Sequence, residues 1–192
     1  MAAPGIDRPP TRLEVVQAEA AHVLGSRAAA ARVDAFSDGV LYVGAGDLRR
    51  LLAWFIDFVV FLFGVGVGVV VLSLLYTSGK IDNNQLVLGD LALLVVVPPL
   101  YGLCYGNGRA LGAVLTGTQL VRVSSGGRVG LKAPWAMTVR TVLLPALLVA
   151  VVVGAMAGGS PPGSPARTSI DRRRTRLLHA AGFRNIADQR VP

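Results

Sequence analysis

Three ionisable residues stand inside stretches that are otherwise apolar: Asp57, Asp90 and Arg140. A charge within a lipid-embedded helix costs about 2.5–3.5 kcal/mol on insertion scales, so such residues mark ion pairs, proton relays or ion sites. Asp57 lies six residues into an apolar run over 51–76, and Arg140 five residues into a run over 135–157. If both runs enter from the same face, the two charges sit at similar depth. A bidentate Asp57–Arg140 pair would then offset much of both desolvation costs. Arg50 shares a helix face with Asp57 but lies roughly 10.5 Å away along the axis, so a water or a lipid phosphate would have to join them. Asp90 opens the second run, over 86–105, from the opposite side. There a helix N-terminus favours negative charge, and Lys80, Asn83 and Asn84 stand close enough in sequence to cover it. Two chemistries are open to this set: an ion pair that fixes helix packing, or a proton- or cation-binding site.

Other chemistries have less in the sequence to build on. Cys104 is the single cysteine, which excludes an intrachain disulfide and leaves no zinc site around it. It reads as a small buried apolar residue. His22 and His179 are too far apart in sequence to define a metal site. The glycines Gly64, Gly66 and Gly68 lie inside the first apolar run rather than after a strand, so they form no dinucleotide loop. They read as alternate small residues for close packing or local flexibility, not as a four-spaced dimer motif. No nucleophile elbow and no phosphate-binding lysine motif occurs. An enzyme is not expected, nor a cofactor or a metal.

The elements that must position these charges follow from the distribution of apolar residues. The 192 residues are 53% hydrophobic and only 16% charged, against about 25% charged in ordinary soluble domains. Mean hydropathy is +0.57. The apolar residues gather in three blocks, 51–76, 86–105 and 135–157, each near the ~20 residues that span a bilayer. The expected fold is an all-α membrane protein of about three hydrophobic helices, with polar tails and a small cytoplasmic hairpin loop. Pro98-Pro99 should kink the second helix. The loop over 106–133 holds Arg109, Arg122, Arg128 and Lys132 without an acid. Within it TQLVRV and RVGL flank SSGG, which predicts a hairpin at 118–131. Residues 108–117 are expected to form a short interfacial helix.

The division expected is a polar N-terminal tail over 1–48, a membrane domain over 49–157, and a linker with a basic tail over 158–192. In the N-terminal tail, Thr11 and Glu14 form a capping-box signal. It opens an Ala-rich amphipathic helix over 11–35, breakable at Gly25-Ser26, that would lie on the membrane surface or against a partner. A short strand is expected in the loop over 36–48. The C-terminal stretch 169–187 predicts a basic helix whose Arg172, Arg173, Arg174 and Arg176 would contact anionic lipid headgroups, with a solvated tail as the alternative. The net charge of +8 fits basic cytoplasmic loops. Nucleic acid is not expected, since no aromatic-basic platform accompanies the charge. With three full crossings, basic residues on the two sides nearly balance. Arg49-Arg50 and the basic loop favour a cytoplasmic N-terminus in a multi-pass protein of the bacterial inner membrane.

The ordered set of motifs resembles the RDD family of small bacterial membrane proteins. It consists of Arg50-Leu-Leu-Ala-Trp-Phe-Ile-Asp57, Tyr101-Gly102, Gly-Asn-Gly-Arg-Ala-Leu-Gly112, Thr-Gln-Leu-Val-Arg-Val123, Gly126-Gly127 and Arg140. The resemblance covers about residues 45–180. It implies an Arg at the cytoplasmic end of the first helix, an Asp within it, and a role for which transport, including cation/proton exchange, has been suggested. The chain departs from the family pattern at Ala113, where a Lys is frequent. Leu178-His179-Ala180 replaces a Leu-His-Asp segment, and a fourth helix is not visible. Fold resemblance does not decide function. Two functions are expected: an accessory or scaffolding subunit of a larger membrane assembly or homo-oligomer, and alternatively a small cation/proton antiporter.

Overall fold

Local signals set the N-terminal segment. In the computed structural model, which describes residues 10–130, 133–142 and 167–188, helix α1 runs Arg12–Leu24 behind the predicted capping box. The Thr11 amide donates to Glu14 Oε2 at 2.6 Å and the Glu14 amide to Thr11 Oγ1 at 3.3 Å. The helix stops at Gly25, whose φ of 65° is left-handed, a conformation that glycine adopts without a Cβ penalty. After the short helix α2 (Arg27–Ala30), strands β1 (Val33–Ala35) and β2 (Leu41–Val43) pair antiparallel, with Asp34 opposite Tyr42.

Side chains alternate across β2 as strand geometry requires. Leu41 and Val43 enter one core with Val16, Ala20, Val33 and Leu178. Tyr42 points the other way, stacks on Phe36 at 4.2 Å between ring centroids, and packs with Val121. The apolar stripe of α1 is therefore covered by its own chain. This corrects the expectation of a membrane-surface or partner-facing helix: Val16 and Ala20 are fully buried against β1, β2 and the C-terminal helix.

Among the described residues, which are 64% helical, two helices are long and apolar enough to cross a membrane. Helix α3 spans Asp47–Thr77 and helix α4 spans Asn83–Leu103. Only 6% and 11% of their most apolar windows are buried, leaving large side chains such as Phe63, Leu88 and Val95 open. The core helix of a soluble protein would be covered instead. The two helices contact one another through small residues: Gly64 and Gly68 of α3 abut Val97 and Leu93 of α4, and Gly89 of α4 abuts Leu72, while Gly66 faces open space. The outer two of the three alternate glycines are thus four apart and make an intrachain small-xxx-small contact.

Helix α4 begins behind a capping box that sequence reading missed: the Gln85 amide donates to Asp82 Oδ1 at 2.8 Å, and the Asp82 amide to Gln85 Oε1 at 3.0 Å. Pro98 and Pro99 lie within the helix, which continues past both to Leu103. Cys104, expected to be buried, is exposed at its C-terminal end.

Helix α5 (Leu111–Thr116) fills the place of the predicted interfacial helix, and strand β3 (Thr118–Arg122) follows it. Here the structure corrects the expected hairpin. β3 pairs antiparallel with strand β4 (Arg167–Asp171), Thr118 opposite Asp171 and Arg122 opposite Arg167, rather than with residues 128–131. The SSGG turn does form, closed by the Gly126 amide on the Arg122 carbonyl at 2.9 Å. The strand after it does not: on the edge of β3 away from β4, the Leu120 amide donates to the Gly108 carbonyl at 3.0 Å and the Arg122 amide to the Gly127 carbonyl at 3.1 Å. Helix α6 (Ala133–Val142) starts the third apolar block. The rest of that block, 143–157, lies outside the described residues, so the third expected helix is described only at its beginning.

The C-terminal segment divides at Asp171. Instead of one helix over 169–187, β4 ends there and helix α7 (Arg172–Ala180) begins, with the Arg174 amide donating to Asp171 Oδ1 at 3.1 Å. Helix α7 covers the edge of β2: Val43 N–H donates to Thr175 Oγ1 at 3.0 Å, and His179 Nε2 lies 2.6 Å from the Leu41 carbonyl oxygen. The N-terminal segment and residues 167–188 therefore form one headpiece at the end of α3 and α4 opposite the 78–82 turn.

Candidate functional site

The site is built around Asp57, which sits in the third turn of α3 and is fully buried. Its Oδ1 accepts two hydrogen bonds of 2.9 Å, one from the Tyr101 hydroxyl near the end of α4 and one from the Gly112 amide in the first turn of α5. The Tyr101 oxygen in turn accepts the Leu111 amide at 3.1 Å. The first turn of a helix has amides without intrahelical partners, and Ala110, the residue before α5, offers no side-chain cap. Asp57 and Tyr101 supply the missing acceptors from two other helices. One carboxylate thereby ties α3, α4 and α5 together.

Gly112 is required by closeness rather than by φ. A Cβ there would run into the Ala53 carbonyl oxygen and crowd the Asp57 carboxylate. The backbone of α5 lies directly on α3, so the amide reaches the acid. Gly108 shows the same economy one step earlier: its φ is +69°, and a Cβ would collide with the Leu120 carbonyl.

The charges named from sequence separate. Arg50 does not reach Asp57. It pairs with the fully exposed Asp47 at 3.7 Å, and lines a headpiece pocket with Arg32, Asp34 and Tyr42. The reason is its position in the first turn of α3, where the side chain turns toward the headpiece. Arg140 belongs to α6, which touches α3, but its side chain, and with it the Asp57–Arg140 pair, lies outside the described residues. Asp90 does not open α4. The Asp82 capping box starts the helix at Asn83, which places Asp90 in the second turn. Its Oδ1 is buried with no hydrogen-bond partner among the described residues, so Lys80, Asn83 and Asn84 do not cover it.

A second buried acid, Asp171, was not singled out from sequence. Its side chain is 1% exposed, and Oδ2 lies 2.7 Å from Arg49 Nη1 and 3.9 Å from Arg174 Nε. This ion pair links the first turn of α3 to the start of α7, 122 residues later. The only sequence signal was an acid one residue before a basic helix, the pattern of an N-cap. Arg174, expected at the lipid surface, is thus engaged with Asp171. Arg172, Arg173 and Arg176 instead line an open groove with Arg109. In the headpiece, Tyr42 donates to Asp34 Oδ2 at 3.2 Å. Burial, and then the Asp34 charge, push its phenol above the usual value. Comparison with family models, curated proteins and solved structures finds no match to this chain.

Proposed function

We propose that the chain is an RDD-type membrane protein that inserts through α3 and α4, with its headpiece in the cytoplasm, and serves as an accessory or scaffolding subunit. The observation that carries the membrane reading is the pair of long apolar helices left almost wholly uncovered. Orientation follows from charge. Because residues 167–188 join the N-terminal segment, the headpiece end gathers Arg12, Arg49, Arg50, Arg109 and the arginines of α7. Among the described residues Lys80 is the only basic residue at the far turn. An excess of this kind belongs on the cytoplasmic side.

The scaffolding role rests on Asp57. Its carboxylate is engaged by a hydroxyl and a peptide amide that hold helices in place, and Arg140 is its proposed basic partner across the α3–α6 contact. Lipid and other membrane subunits, or further copies of this chain, would cover the apolar helices. The antiporter remains a second reading because Asp90 keeps a buried carboxylate oxygen without a hydrogen-bond partner among the described residues.

In a Cys104→Ala background, Lys80→Cys should react with an impermeant thiol reagent on intact cells and Ser124→Cys should not. The reverse pattern overturns the orientation, and release by alkaline carbonate overturns insertion. Co-purification of a stable membrane partner supports the subunit reading. Cation/proton exchange by the purified chain in liposomes, lost in Asp90→Asn, replaces it with the antiporter.

A further inference from the structure

The groove between α5 and α7 has a volume of about 430 Å³ and is rimmed by Arg109, Arg172, Arg173 and Arg176, with Leu177 and Ala180 on its wall. Arg109 comes from the turn before α5 and the other three from α7, so the cluster exists only once the chain has folded. Among the described residues none of the four is paired with a carboxylate. The nearest acid in sequence, Asp171, is already engaged by Arg49 and Arg174. Arg109 buries its Nε without a hydrogen-bond partner among the described residues. The guanidinium of Arg172 is held below its usual range by burial first, and then by the like charges of Arg109 and Arg176. Four unneutralised guanidinium groups around one groove repel each other unless an anion joins them, and planar guanidinium forks match phosphate oxygens.

The position of the groove selects the anion. Gly117, the residue that ends α5, lines it and accepts the Arg172 amide at 3.3 Å. Helix α5 presents Leu111, Val114 and Leu115 outward, 48%, 46% and 65% exposed, and it packs on α3, where Leu48, Leu51 and Leu52 are also open. The groove therefore lies where the apolar belt gives way to the polar headpiece, which is headgroup depth for an inserted chain. Leu177, 48% exposed in the groove wall, suits the glycerol and upper acyl carbons of an amphipathic ligand better than a fully hydrated ion.

We propose that the groove formed by Arg109, Arg172, Arg173, Arg176 and Leu177 binds the phosphate headgroup of an anionic phospholipid. The site rests on the membrane reading above and adds a specific lipid position to it. In the test, the full chain is purified in mild detergent and offered phosphatidylglycerol and phosphatidylcholine together, and retained lipid is counted by native mass spectrometry. The wild type should retain phosphatidylglycerol selectively. The variant carrying Arg109→Gln, Arg172→Gln and Arg176→Gln should lose affinity for it about a hundredfold, from the usual contribution of each basic residue near an anionic surface. Arg27→Gln, a basic change elsewhere in the headpiece, should leave retention unchanged.

Equal retention of both lipids by the wild type overturns the proposal, as does unchanged selectivity in the triple variant. Should the triple variant fail to fold, Arg109→Gln alone carries the comparison, because Arg109 caps no helix and pairs with no described acid. Soluble glycerol phosphate that binds as tightly as the lipid overturns the lipid assignment in favour of a free phosphate ester. Alkaline carbonate extraction separates the two readings: a chain that stays in the membrane but shows no lipid selectivity refutes the groove alone.

Discussion

Replacing Asp57 tests whether its role is that of an acceptor or of a charge. Its Oδ1 holds the Tyr101 hydroxyl and the Gly112 amide, each at 2.9 Å, in a fully buried position. A hydrogen bond to a charged group contributes about 1.5–3 kcal/mol and a neutral one about 0.5–1.5 kcal/mol. Asp57→Ala removes both bonds, which predicts a loss of about 3–6 kcal/mol. Asp57→Asn keeps a carbonyl oxygen for the same two donors, so from these two bonds the charge assistance is lost, about 2–3 kcal/mol. For a chain of this length each kcal/mol lowers the melting temperature by about 2–4 °C. The Ala variant should therefore melt more than about 6 °C below the wild type, roughly twice the drop of the Asn variant. The assay is thermal unfolding of detergent-solubilised protein, followed by hydrogen exchange at the Gly112 amide. That amide should exchange fast in Asp57→Ala and stay protected in Asp57→Asn. An Asn variant as unstable as the Ala variant, with Gly112 equally unprotected, would show that charge rather than acceptor geometry holds α5. An Ala variant melting like the wild type would refute the tie altogether.

Asp171→Ala should destabilise by about 2–5 kcal/mol, from a lost N-cap plus a buried charge-assisted contact, and Arg49→Ala in the same background should add little. Strictly additive losses in that double-mutant cycle would show that the Arg49–Asp171 pair is not coupled. Tyr42 should titrate above its ordinary 10.0 because burial and Asp34 disfavour the phenolate. Since the folded value is the higher one, its contribution is intact below about pH 10 and is lost as pH rises through the folded value. An alkaline titration of ultraviolet absorbance, compared with Tyr42→Phe, checks this, and a normal tyrosine transition assigned to Tyr42 would contradict it.

What the chain determines by itself is local and periodic. The run from Leu51 to Tyr76 is too apolar and too long to be anything but a helix that seeks an apolar surrounding, and α3 extends it by only a turn at its start. Thr11 with Glu14 sets the first helix boundary within one turn, because a capping box is a contact between residues three apart. Asp57 was conspicuous because a charge in an apolar run is costly wherever the rest of the chain lies.

Its partners Tyr101 and Gly112 were not legible. Tyr101 is 44 residues away and Gly112 is 55, and the closeness that lets the Gly112 amide reach the acid belongs to helix packing, not to spacing. The same is true of β3. Its hydrophobic alternation announced a strand but carried no mark of β4 as partner, so the nearer residues 128–131 were the natural and mistaken choice. That pairing, with Arg49 on Asp171, also placed the C-terminal arginines beside the N-terminal segment. Counted along the sequence those charges left the orientation almost balanced. Gathered by tertiary contacts they stand at one end of the helices, because strand pairing and ion pairing join groups by distance in space, which the order of residues does not encode directly.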